Sequence, residues 1–447
     1  MKAFFTGIIT LIIFQAITTV SLKAQNPVIR DQFSADPTAR VFDGRVWLFP
    51  SHDILADSGR GRIGWFYMED YHVFSSSDLV KWTDHGVILS QYDVPWVDSL
   101  SYSLWAPDCI ERNGKYYFYF PAKPKDVDRG FGIGVAVAEK PEGPYIPEIK
   151  PITGVFGIDP GVFIDHDNQA YLYYSLGKIF VAKLAENMLE LASEPVVIQN
   201  LPTEGLIEGP FMFERGGKYY LTYPHVQDKI ERLEYAMADH PLGPFTVAGV
   251  LMDESPKGCW TNHQSVIEYG DQWYLFYHQN DYSPSFDKAR SVRIDSLFFN
   301  ADGTIRKVLP TERGVGITPA SSSIEIDRYS ALSETGAGIE FMDPDNKFLG
   351  WKVNLEGKGA WIRYDRVDFG RKKLKGIELE IYSEEGGQLA IYQDNTDGLL
   401  LGRVKIPCGK NWATVSSELS GFQPGVHNLY IVLESETKVE LNKIFFY

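Results

Sequence analysis

Cysteine is scarce in this chain: 3 residues in 447, namely Cys109, Cys259 and Cys408. An odd number at wide spacing excludes a disulfide scaffold and any cysteine-based metal finger. Buried free thiols are the preferred reading, with a single Cys109–Cys259 bridge as the alternative. Positive charge is also short. Lys and Arg number 43 against 59 Asp and Glu, a net charge of −16, which argues against nucleic acid and acidic membranes as partners. From residue 26 to about 318 no convincing amphipathic helical pattern occurs, which excludes a helical bundle. One long apolar run exists, Phe4 to Val20, and polar residues interrupt it. With Lys2 before it and Ala24-Gln25 after it, residues 1–24 read as a secretory signal, so the expected location is secreted or periplasmic. An uncleaved anchor is the alternative, but no integral span is expected in the mature chain. No cysteine follows the run to take a lipid. Loss of Lys2 and Lys23 with the signal would take the charge from −16 to −18.

What the chain has in abundance is aromatic residues, 14% of the total, with 25 Tyr and 27 Phe. This bias suits β-structure and surfaces that stack on ring-shaped ligands. Short alternating strands are punctuated by Gly, Asn and Asp. Five segments share one pattern of polar residue, apolar strand, tight turn and aromatic return strand. They are Asp36–Pro50, Trp105–Pro121, Asp159–Tyr174, Glu208–Pro224 and Asn262–His278. Their turn residues Gly44, Gly114, Asn168, Gly217 and Gly270 are 70, 54, 49 and 53 residues apart. Repeats of this length fit blades of four strands, so the expected fold is all-β, a five-bladed β-propeller over 25–318. The longer first interval leaves room for an inserted loop, Asp84 to Ser103. Gly314 to Ser323 reads as a linker. Residues 319–447 carry no propeller repeat, and their alternating strands suit a β-sandwich of jelly-roll type.

In a propeller the innermost strands begin at one mouth of a central channel. Asp36, Trp105, Asp159, Glu208 and His263 lie 8, 9, 9, 9 and 7 residues before their turns, so they are expected to converge there. Three convergent carboxylates repel one another and raise at least one pKa. That separation supplies an acid and a base near neutral pH, as glycoside hydrolysis requires. Each residue alone is unremarkable: Asp-Pro is a common turn opener, and a lone histidine is commonly structural. Glu142 also precedes a Gly-Pro-aromatic string but follows an outer strand, so position in the repeat, not the string, marks Glu208.

Asp36-Pro37, Trp105-Ala106-Pro107-Asp108, Ile158-Asp159-Pro160, Glu208-Gly209-Pro210-Phe211 and Asn262-His263-Gln264-Ser265, in this order, resemble family 43 of the glycoside hydrolases. The resemblance spans nearly all of 26–318. It implies a five-bladed, inverting enzyme with arabinofuranosidase, xylosidase or arabinanase activity. It makes Asp36 the general base, Glu208 the general acid, and Asp159 the residue that orients Glu208 and tunes its pKa. His263 takes the place of a channel histidine associated with a calcium ion through water; no cofactor is required. Arg290 matches an arginine that reaches the sugar, and Trp105 helps line the pocket. Asp108 is read as structural. The motif Asn-His-Gln-Ser departs from the Asn-His-His-Ser of arabinoxylan-directed relatives. In the C-terminal region Gly359–Tyr364, Val367–Gly370, Asn411-Trp412 and Gly425–Tyr430 are similar to a family 6 carbohydrate-binding module. Trp412 is its candidate for stacking on a glycan, the alternative being that it packs on the sandwich edge.

The expected function is removal of terminal α-L-arabinofuranosyl groups from plant cell-wall polysaccharide, arabinoxylan or arabinan. β-1,4-Xylosidase and endo-arabinanase are the alternatives within this chemistry. A non-catalytic sugar-binding propeller is the alternative outside it, and Asp36, Asp159 and Glu208 together argue against that. Inversion places the two acting carboxyls about 6.5–9.5 Å apart.

Overall fold

The structure is a computed structural model that describes residues 26–447, apart from 56–60, 256–257, 282, 284–287, 312, 327–328, 344–350 and 372–373. The expected signal, 1–24, lies outside the described residues. Among the described residues there is no helix long and apolar enough to cross a membrane, and every regular element is a strand.

Five antiparallel sheets form the propeller. Blade I contains β1 (Phe33–Phe42), β2 (Arg45–Asp53), β3 (Asp70–Ser76) and β4 (Thr83–Ser90), from the axis outward. Blade II contains β5 (Asp108–Arg112), β6 (Lys115–Ala122), β7 (Gly132–Ala138) and β8 (Ile146–Pro147). Blade III contains β9 (Ile158–Ile164), β10 (Ala170–Ser175), β11 (Ile179–Lys183) and β12 (Val196–Val197). Blade IV contains β13 (Phe211–Arg215), β14 (Lys218–Val226), β15 (Glu231–Ala238) and β16 (Thr246–Met252). Blade V has three strands, β17 (Ser265–Tyr269), β18 (Gln272–Gln279) and β19 (Ser291–Leu297). The segment before β1 is tied to β19: Val28 N–H donates to Val292 O at 2.9 Å and Ser34 N–H to Arg290 O at 2.9 Å.

Alternation explains how one strand serves two interfaces. Trp47 and Phe49 of β2 pack with Phe118 and Phe120 of blade II, whereas Val46 and Leu48 pack with Phe276 and Ile294 of blade V. Three further apolar clusters fill the remaining gaps between blades. The inner strands are also cross-tied around the axis. Thr38 Oγ1 donates to Pro107 O, Val162 N–H to Asp108 Oδ2, Gln264 Nε2 to Gly209 O, and Ala39 N–H to Ser265 Oγ, all within 2.6–2.9 Å. Asp108 also takes a two-pronged ion pair from Arg40 and is fully buried, which is a structural duty.

Two expectations about connections are corrected. Asp84 to Ser90 is not loop but belongs to β4, because it pairs with β3, whereas 91–103 do lie in the strand-free connection from β4 to β5. The insertion that matters instead joins β2 to β3 and carries Trp65 and Phe66. Gly314–Ser323 is not a bare linker either: Val315 packs into the propeller, Ala320 into the sandwich, and Thr318-Pro319 (β20) pairs with a sandwich strand.

The C-terminal unit packs two sheets face to face. One joins β20, β22 (Ala331–Leu332), β25 (Trp361–Asp368), β27 (Gly387–Gln393), β28 (Leu399–Ile406) and β30 (Val426–Leu433). The other joins β21 (Ile324–Glu325), β23 (Ala337–Phe341), β24 (Trp351–Glu356), β26 (Gly376–Tyr382), β29 (Ala413–Glu418) and β31 (Lys438–Phe446). Ile362, Leu379, Leu389, Leu429 and Leu441 fill the space between them. The fold is thus all-β, a five-bladed propeller followed by a sandwich.

Candidate active site

The polar residue before each inner strand is aimed by a backbone irregularity. In blade I, Ala35 pairs with Ser51 and Thr38 with Phe49, so Asp36-Pro37 stand opposite a single residue. In blade III, Ile158 pairs with Ser175 and Gly161 with Tyr173, so Asp159-Pro160 do the same. These are bulges, which turn side chains out of the sheet. Proline at the second place cannot donate to the ladder, so the irregularity costs no hydrogen bond. Asp36 and Asp159 adopt φ of +46° and +55°, a strained region for a non-glycine residue and a frequent mark of functional sites. In blade IV the matching place before proline is Gly209, at φ +54°, where an added Cβ would lie 2.8 Å from Pro224 Cδ. Glu208 therefore sits one residue ahead of the two aspartates in register.

These residues line one cavity of about 220 Å³ together with Trp105, His263 and Arg290. Trp65, Phe66 and Trp260 complete its wall, with Phe66 and Trp260 stacked at 6.1 Å between ring centroids. Six of the seven residues read from the sequence thus meet. Trp412 does not: it is half-buried on the sandwich, 6.1 Å from the Tyr382 ring.

Asp36 is 6% exposed and held from several sides. Arg290 Nη1 and Nη2 donate to its two oxygens at 2.8 and 3.3 Å, and Ser51 Oγ donates to Oδ2 at 2.7 Å. Burial pushes its pKa up, but Arg290, His278, His263 and Ser51 outweigh burial and bring it down to about 2. Asp53 grips the same guanidinium through Nε and Nη2, both at 2.9 Å. His278 Nδ1 accepts from Asp36 N–H at 3.0 Å, and its Nε2–H donates to Thr261 O at 3.0 Å. Burial and Arg290 hold His278 down to about 3, so it is a neutral brace.

Asp159 faces a different neighbourhood. Ser175 Oγ donates to its Oδ2 at 2.9 Å and Gly209 N–H donates to the same oxygen at 3.0 Å. Burial, and then the charge of Glu208, raise it to about 7. The Gly209 bond fixes the backbone next to Glu208. Glu208 keeps some exposure to the cavity, yet protein surrounds it closely, and burial and Glu231 push its pKa well up. Glu231, at the start of β15, is 1% exposed. Its Oε2 accepts from Asn262 N–H at 2.6 Å, while its Oε1 has no donor when both carboxyls are ionised. A proton on Glu208 supplies that donor, which favours the protonated acid and lowers Glu231, itself raised by burial to about 7.

Glu231, Asp53, His278, Trp65, Phe66 and Trp260 escaped sequence reasoning. The first three lie on second or third strands and the rest in connections, where the repeat has no fixed place. Ser51 and Ser175 were legible in principle, since each follows its aspartate by a near-constant interval.

Calcium prefers six to eight oxygen ligands. Among the described residues no group of three ligating side chains gathers at His263. Gln264 Oε1 beside it is buried and without a hydrogen-bond partner. One imidazole and one amide oxygen do not make a protein cage for calcium; they fit only an ion that keeps most of its water. Cys109, Cys259 and Cys408 are all free, the first two buried and Cys408 exposed, so the alternative of a bridge does not hold.

Comparisons with known proteins agree with this geometry. The model of glycosyl hydrolases family 43 matches residues 24–305, and that of carbohydrate binding module (family 6) matches 335–446. A xylosidase/arabinosidase 43A of Humicola insolens is 38% identical over 328 residues, 62% of this chain and 98% of that protein. An arabinoxylan arabinofuranohydrolase of Bacillus subtilis (strain 168) is 28% identical over 469 residues, 91% of this chain and 88% of that protein. A β-xylosidase/α-arabinofuranosidase from a compost microbial metagenome, solved with xylotriose in a calcium-free form, superposes with a TM-score of 0.57 at 34% identity. That match covers 64% of this chain and 97% of the solved one. The chain belongs to family 43 of the glycosyl hydrolases, a glycoside hydrolase joined to a family 6 carbohydrate-binding module.

Proposed function

We propose that the enzyme acts on arabinoxylan or arabinan from the chain end or side branch, releasing terminal α-L-arabinofuranosyl groups with inversion. The observation that carries this reading is the small cavity in which Asp36, Asp159 and Glu208 meet. Pockets for larger ligands run to about 300–1,000 Å³; one of about 220 Å³ suits a single pentosyl unit rather than a bound chain. Asp36, ionised at every working pH, takes a proton from the water that attacks the anomeric carbon. Glu208 delivers its proton to the departing oxygen. Asp159 positions Glu208 through Gly209, and Glu231 helps keep the acid protonated. The aromatic wall narrows the access of water and packs on the C–H face of the sugar.

β-Xylosidase is the second reading. It is favoured by a β-xylosidase of Xylanibacter ruminicola, 36% identical over 63% of this chain. Two arabinoxylan arabinofuranohydrolases that align over 91% of this chain favour the first. Residues 1–24 are proposed as an export signal, and a calcium ion near His263 is proposed only in hydrated form. Initial rates on aryl α-L-arabinofuranosides, aryl β-xylosides, linear arabinan and arabinoxylan test the reading. Arabinose released singly from arabinoxylan is expected; oligomeric products from linear arabinan would overturn exo action.

A further inference from the structure

A second cluster of chemistry-bearing side chains lies on blade I, outside the catalytic cavity. His52 stands near the end of β2, Asp70 and His72 on β3, and Asp84 on β4 behind them. One ligating atom each of His52, Asp70 and His72 falls within 4.8 Å of the other two. His52 Nδ1 is 2.6 Å from Asp70 Oδ1, and the two imidazole rings meet edge to face at 5.1 Å. The three side chains are 16–18% exposed, so an ion from solvent can reach them. His72 Nδ1 lies 3.0 Å from Asp84 Oδ2. A neutral His72 that donates there presents its Nε2 lone pair. A carboxylate behind a histidine is the usual outer support of a metal-bound imidazole, fixing tautomer and ring orientation.

We propose that His52, Asp70 and His72 form a binding site for a divalent first-row transition ion of the zinc class, with water as its fourth ligand. The donor set decides the ion class. Two imidazoles and one carboxylate suit Zn²⁺ and its neighbours, whereas Ca²⁺ and Mg²⁺ require oxygen-rich surroundings. The ligands come from two paired strands held by the blade's hydrogen bonds, so little ordering is needed on binding. The strand end that would be stiffened is the one that holds Arg290, since Asp53 adjoins His52 and grips its guanidinium. None of the three ligands lines the cavity of Asp36 and Glu208, so this ion takes no part in the proposed glycoside chemistry.

Isothermal titration of the full, tag-free chain with ZnCl₂ tests the site. The parent is expected to bind zinc saturably, and His72→Ala and His52→Ala are each expected to lose one equivalent. His263→Ala is expected to keep that equivalent, which separates this site from the channel. Excess CaCl₂ or MgCl₂ should not displace the zinc. Hydrolysis of an aryl glycoside at the parental rate certifies the fold of His72→Ala. Should that variant fail to fold, Asp84→Asn leaves all three ligands in place and is expected to weaken zinc about 10–100-fold. Absence of saturable zinc binding by the parent overturns the proposal. So does unchanged stoichiometry and affinity in a folded His72→Ala or His52→Ala, or in Asp84→Asn if neither histidine variant folds.

Discussion

Blades I and III present the same local device with opposite electrostatic outcomes. Each has an Asp-Pro bulge, a left-handed aspartate and a serine hydroxyl on Oδ2, at 2.7 Å for Asp36 and 2.9 Å for Asp159. Both aspartates are almost fully buried. Yet Asp36 is brought down to about 2 and Asp159 is pushed up to about 7. The difference lies in what faces them across the channel: the Arg290 guanidinium for the first, the Glu208 carboxyl for the second. The repeat supplies equivalent positions; the non-repeated neighbours assign the roles.

The comparison can be broken most severely at Asp36. Asp36→Asn keeps the bulge and the serine bond but removes the base, and kcat is expected to fall by about 10²–10⁴-fold. Steady-state rates on an aryl glycoside check this. Next comes Glu231→Gln. Its amide can donate to an ionised Glu208, whose pKa then drops. The basic limb of the pH–rate profile is expected to move to lower pH, with kcat down roughly tenfold on the scale of acid catalysis. A limb that stays in place would remove Glu231 from the account.

Asp159→Asn sharpens the contrast through stability. The folded pKa of about 7 lies above the ordinary value of 3.8, so this group's stabilising contribution is full below pH 3.8 and lost as pH rises through 7. Removing the charge should therefore stabilise the fold at pH 8, by on the order of 4 kcal/mol for a shift from 3.8 to about 7, and leave it unchanged at pH 3. Chemical denaturation at the two pH values measures it, and activity should fall at both. Asp36 carries the opposite sign: its contribution is present above 3.8 and lost as pH falls through about 2. The smallest effect is expected on the sandwich. Trp412→Ala should weaken retention on insoluble arabinoxylan by a few-fold, on the scale of about 1 kcal/mol for one exposed aromatic face, as read by pull-down.

Much of this was legible in the sequence. The turn residues set the blade count, and the hairpin spacing brought Asp36, Trp105, Asp159, Glu208 and His263 to one mouth. Arg290 and Trp412 came from resemblance instead, and only Arg290 joins the site. Glu231 was invisible because it opens a third strand, where no repeat position predicts which way a side chain turns. Trp65 and Phe66 sit in an insertion peculiar to blade I, and Trp260 sits in the connection into blade V. The inserted loop sought at Asp84–Ser103 holds only from 91 onward, and the second excess between β2 and β3 was missed because an interval gives the length of an excess, not its place between strands. The tie between Thr318-Pro319 and β25 was hidden for a similar reason: Gly, Pro and Ser mark irregular chain but do not show what it packs against.

The central claim is that Glu208 carries the proton that the leaving group needs. Glu208→Ala, assayed on two aryl glycosides of one sugar, tests it most directly. With an unactivated leaving group the rate is expected to fall about 10²–10⁴-fold. With a 2,4-dinitrophenyl leaving group, which departs without protonation, it should fall little, and the basic limb of the pH profile should vanish. Equal losses on both substrates, with the limb intact, would contradict the account.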